Sequence, residues 1–127
     1  MDVSICNVEN GKSIISCGYK GPIELKDIAG DWQKVIAHEK FNDIDTHLLF
    51  DCREAEFAFS LDECHGIESF FAQFSDVLID KRIAIIAVST LNTAFAIYIE
   101  YKLKFGFGFD IKVFSTKEAA IEWIENY

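Results

Sequence analysis

Four side chains are placed where a folded chain could use them chemically: Asp51, Arg53, Ser89 and Thr90. Asp51 follows the apolar run 48–50, and Ser89-Thr90 ends the apolar run 83–88, so both groups fall at the carboxyl end of an expected strand. Ligands of open α/β sheets bind at that edge, where helix N-termini point outward with unpaired N–H groups. A small-molecule enzyme built on these four groups is one reading, and it requires a shared pocket that excludes water. The simpler reading pairs Asp51 with Arg53, or has Asp51 accept a backbone N–H. The histidines at 38, 47 and 65 fall on different elements without the i,i+4 spacing of a zinc pair, so they read as solvated or hydrogen-bonded side chains. Cys6, Cys17, Cys52 and Cys64 never approach the two-residue spacing of zinc or redox motifs. They read as free thiols acting as small hydrophobes, and no metal, disulfide or cofactor is expected.

Charge narrows the partners. Twenty-one acidic against 12 basic residues leave a net charge of -9, a field that repels phosphate backbones and anionic lipid headgroups, so nucleic acid is not expected. Half of the 127 residues are hydrophobic and one is proline, which predicts a single domain over 1–127 with a real core. The start, Met1-Asp2-Val3-Ser4, lacks a signal-peptide pattern, and no apolar run approaches the ~20 residues of a membrane span. A cytoplasmic protein is the expectation.

These groups depend on a repeated unit, a short apolar run followed by a capping residue and an amphipathic stretch. The runs 48–50, 83–88 and 111–114 are too short for buried helices and read as buried parallel strands. Ahead of them, 3–8 and 12–17 flank Asn10-Gly11, the signature of a two-residue hairpin turn. That turn would set Cys6 opposite Ile15 and Ser4 opposite Cys17. Residues 18–21 read as a loop, and Pro22 opens a helix to about 38 with the stripe Leu25, Ile28, Trp32, Val35 and Ile36. Gly30 suggests a close contact or a bend within it. Ser60 and Glu63 make a capping box for a helix carrying Ile67, Phe70, Phe71, Phe74, Val77 and Leu78. A helix over 91–104 ends at the glycines of Phe105-Gly106-Phe107-Gly108-Phe109, whose aromatics are expected to pack under the loop. Ser115 with Glu118 caps a last helix that buries Ala119, Ala120, Trp123 and Ile124.

With Leu48-Leu49-Phe50-Asp51, Arg82-Ile83-Ala84-Ile85-Ile86 and the ending from Val113-Phe114-Ser115-Thr116 to Trp123-Ile124, the chain resembles the SpoIIAA-like branch of the STAS fold. That resemblance implies a mixed, mainly parallel five-stranded α/β sheet with an N-terminal hairpin and about four helices. Its best-known bacterial members carry a regulatory serine just after the third strand, whose phosphorylation controls a partner kinase. Here the matching stretch is Asp51-Cys52-Arg53-Glu54, so the phosphorylation switch is not carried over. More distant relatives of the Sec14 type imply a small apolar ligand. Locally, Leu48 to Phe57 also resembles a rhodanese segment, but the loop that should hold the nucleophilic cysteine reads Ser89-Thr90-Leu91-Asn92-Thr93. The expectation is therefore a non-enzymatic module that binds a protein partner or a small apolar ligand, with a homodimer allowed.

Overall fold

The computed structural model describes residues 2–7, 11–58 and 60–126. Strands β1 (Asp2–Asn7), β2 (Ser13–Ile23), β3 (Thr46–Phe57), β4 (Arg82–Ile86) and β5 (Asp110–Phe114) form one sheet in the order β1-β2-β3-β4-β5. The β1–β2 pair is antiparallel and the other pairs are parallel. The helices are α1 (Leu25–Ile36), α2 (Leu61–Ala72), α3 (Ser75–Leu78), α4 (Thr90–Phe107) and α5 (Lys117–Glu125).

Side-chain alternation divides the sheet into two buried faces. Ile15, Cys17, Leu48, Cys52, Ile83, Ile85 and Ile111 pack with α1, α3 and α4 residues such as Trp32, Leu78 and Leu103. Ile14, Leu49, Ala84 and Ile86 pack under Ala120 and Ile124 of α5. Crossovers between sequentially adjacent parallel strands share one handedness, so the connecting helices collect on one face. Only the helix after the last strand is free to cover the other.

Several expectations are corrected. The hairpin register is shifted by one residue: Val3 faces Cys17, Ile5 faces Ile15 and Cys6 is paired with Ile14. Residues 8–12 separate the paired ends Asn7 and Ser13, so the connection is longer than two residues. Alignment of apolar residues on one face outweighs the turn signal, because a one-residue slip reverses the facing of every side chain. Asn10 itself lies outside the described residues; Gly11 has φ 72°.

The expected loop at 18–21 and helix start at Pro22 are strand. β2 runs to Ile23 and pairs with β3 as far as Ile23↔Phe57, with a bulge between Gly18 and Lys20. Because β1 runs out at Asp2↔Gly18, the far end of β2 has an open edge, where a residue without an N–H is tolerated. Helix α1 starts instead at a capping box between Glu24 and Asp27, and a Cβ at Gly30 would meet nothing within 4 Å. The Ser60–Glu63 capping box is present, but the helix breaks after Ala72 and resumes as the single turn α3. Helix α4 runs through Gly106 and stops at Gly108, whose φ of 73° only glycine adopts without strain. Phe109 is buried, whereas Phe105 is 72% exposed. Thr116, not Ser115, caps α5, and Ala119 is exposed.

Candidate functional site

Asp51 sits in β3 at the level of Gly18 in β2 and Ile86 in β4, the last paired residue of β4. Arg53, two residues on, shares its side of the strand. The Asp51 carboxylate accepts from Arg53 Nε at 2.9 Å and Nη2 at 2.7 Å, and from the Arg53 backbone N–H at 3.2 Å. These bonds hold the Asp51 carboxyl below its ordinary pKa, against partial burial that acts the other way. A carboxylate so engaged is a weak proton acceptor. With Gly18, Tyr19, Lys20 and Glu54 the pair lines a groove of mixed polar and apolar surface, in which Lys20 and Glu54 form an exposed ion pair at 3.7 Å.

Ser89 and Thr90 belong to the start of α4. Ser89 Oγ accepts the Asn92 N–H at 3.1 Å as the helix cap, and both residues are exposed. Asn92 is the residue that spacing did not reveal. It is 3% exposed, and its Nδ2 donates to the carbonyls of Cys52 at 3.2 Å and Ala55 at 2.7 Å. Since β4 ends at the level of Asp51, these β3 carbonyls lie beyond its reach, and the Asn92 carboxamide replaces the missing strand. Asn92 thereby fixes the start of α4 beside the far half of β3.

On the face covered by the crossover helices lies a cavity of about 80 Å³ whose walls are almost wholly apolar. Tyr19, Trp32, Phe50, Phe71, Ile85 and Phe95 are among its lining residues, with Cys52 at one side. Trp32 anchors the surrounding aromatic cluster, with ring centroids 5.0 Å from Phe71, 5.8 Å from Phe50 and 5.9 Å from Phe74. It is 1% exposed, and its indole Nε1 has no hydrogen-bond partner among the described residues. Only Ile67 is fully buried among the described side chains of α2, so this helix lies lightly over the cavity. The apolar stripe that marked α1 and α2 was visible in the sequence; the gap between them was not, because it depends on how far apart the helices pack.

Burial pushes the Cys17 and Cys52 thiols up to about 12, leaving both protonated and unreactive. It also raises the Tyr19 phenol. The side chains of Cys6 and Cys64 lie outside the described set. Among the described residues, no group of three or more His, Cys, Asp or Glu is placed to hold a metal ion. No helix there is long and apolar enough to cross a membrane. Two further buried polar groups stitch the entry of β3 to β4. Lys81 Nζ donates to the carbonyls of Asp43 at 2.8 Å and Thr46 at 2.7 Å, and His47 Nδ1 accepts the Arg82 N–H at 2.9 Å.

No protein-family model and no curated protein matches this sequence. Among solved structures, the chain is similar to an uncharacterized protein of the DUF3478 family with a SpoIIAA-like fold from Shewanella loihica. The superposition has a TM-score of 0.62 at 16% identity and covers 97% of this chain and 92% of that one. Identity at this level speaks for architecture alone: the chain has a SpoIIAA-like fold.

Proposed function

We propose that this chain is a non-enzymatic binding module, one domain over 1–127, that holds a small apolar ligand between its sheet and its crossover helices. The observation that carries the reading is the apolar cavity walled by Trp32, Phe71 and Phe95. Protein interiors are otherwise packed to crystal-like density, so a gap of this size in a small core marks a place that a ligand can fill. The enzyme alternative needs Asp51, Arg53, Ser89 and Thr90 to converge away from water. Their engagement in an ion pair and a helix cap on an open surface argues against it. The absence of a phosphorylation switch after β3 is supported by the continuation of that strand through Cys52, Arg53 and Glu54, and by use of Ser60 Oγ as a helix cap. A cytoplasmic location fits two buried thiols that remain unpaired.

A protein partner, including a second copy of the chain, is the second reading. It is favoured by Ile97, Tyr101 and Phe105, exposed by 51%, 58% and 72% at four-residue spacing along α4. Native mass spectrometry of freshly purified protein tests both. A small adduct that leaves on denaturation, and that is missing from an Ala96→Leu variant whose added side chain fills the cavity, is the expected result. No adduct on the unaltered protein, or the same adduct on both proteins, would overturn the ligand reading, and a doubled mass would favour self-association.

A further inference from the structure

We infer that a second copy of this chain pairs with the outer edge of β1, antiparallel about Ile5, joining two five-stranded sheets into one continuous sheet. Successive residues of a strand turn their N–H and C=O groups to opposite sides. The Ser13 N–H donates to the Asp45 carbonyl and the Ala58 N–H donates to the Ile23 carbonyl, so the odd-numbered residues of β2 face β3 and the even-numbered ones face β1. Through the pairs Asp2↔Gly18, Ser4↔Ser16 and Cys6↔Ile14, β1 engages its even-numbered groups with β2. The N–H and C=O groups of Val3, Ile5 and Asn7 therefore point outward, and no further strand lies beside β1 among the described residues.

The other open stretches of edge are guarded. Where β2 continues past β1, its outward positions are Lys20 and Pro22, and Pro22 has no N–H to offer a new strand. On β5, the outward N–H of Val113 is taken by Glu100 Oε1 at 3.1 Å. Strand β1 has neither device: it contains no proline or lysine, and its one charged residue, Asp2, stands at its first position. Ile5, in its middle, is 38% exposed. An edge left open beside two that are blocked is a template for pairing. The even spacing of the outward groups about Ile5 selects the occupant. Around a two-fold axis there, Val3 meets Asn7 of the second copy and Ile5 meets its own counterpart, so every outward group finds a partner and the two Ile5 side chains cover each other.

The test is sedimentation velocity on the full chain over a range of concentrations, read beside amide hydrogen exchange. A concentration-dependent dimer is expected, in which the Val3 and Ile5 amides exchange faster on dilution while those of Ser4 and Cys6 do not. Ile5→Pro removes an outward N–H without touching the β1–β2 ladder, so it should fold, and it should raise the dimer dissociation constant at least about tenfold by removing the bonds across the axis. If it does not fold, Ile5→Lys, which sets two like charges against each other at the axis, takes its place. Phe105→Lys, on the exposed stripe of α4, should leave the dimer intact. A protein that stays monomeric up to about 1 mM would overturn the inference and leave the edge to a strand from a different protein. A dimer unweakened by either change at Ile5 would overturn it too, as would loss of the dimer in Phe105→Lys alone, which would assign self-association to α4. Slow exchange at Val3 and Ile5 in a monomer would mean that the edge is covered within the chain itself, and would also overturn it. All of these outcomes leave the cavity reading to its own adduct measurement.

Discussion

His47 is completely buried, and its Nδ1 accepts the Arg82 N–H only while that nitrogen is unprotonated. Burial, reinforced by the positive charges of Lys81, Lys12 and Arg82, lowers its pKa to about 4. The unfolded chain therefore takes up this proton first as pH falls. Stability present above about pH 6.5 should be lost progressively toward pH 4, by about 2 kcal/mol between pH 7 and pH 5. Asp51 contributes little in this window, because its own lowered pKa places its loss at more acid pH. Urea unfolding at the two pH values checks this, with His47→Gln expected to flatten the difference; an equally steep dependence in that variant would assign it to other groups. At this scale, the sequence revealed partners that are close neighbours along the chain. Asp51 with Arg53 and Ser60 with Glu63 lie two and three residues apart. His47 with Arg82 and Asn92 with Ala55 lie 35 and 37 apart, and no spacing rule reaches across a crossover.

The elements were most legible where hydrophobic period and capping chemistry agreed. Strand β4, the N-termini of α2 and α4, and the Trp32 stripe of α1 belong to this group. They were least legible where a neighbour overrode local signals. Gly18, Gly21 and Pro22 resemble a loop in isolation but are held in β2 by pairing with β3, and Gly106 stays helical within the longer run of α4. Asn92 shows how one side chain can determine an element's length. Without its two bonds, the Cys52 and Ala55 carbonyls would lose their partner beyond the end of β4. Asn92→Ala should therefore cost about 1–3 kcal/mol in equilibrium unfolding. It should also speed amide hydrogen exchange in the far halves of β2 and β3 more than in β4. Uniform exchange across all three strands would mean that the clamp has no local role.

The whole molecule has two unequal cores, a thick one under four helices and a thin one under α5 alone. Ile85 and Ile86 are consecutive, yet each belongs to a different core. Ile85→Ala and Ile86→Ala should each destabilise the protein by roughly 2–5 kcal/mol in urea titrations. A shift of less than about 0.5 kcal/mol for either would show that its face is not packed. The strand order has a further consequence, for the way the chain comes together in time. Each strand hydrogen-bonds to the one made just before it, from β1 to β5. A chain leaving the ribosome at about 5–20 residues per second can thus lay down its sheet as a growing edge, each strand arriving to find its template already in place. No strand must wait for a distant partner, and the second core closes only when α5, the last element, has been made.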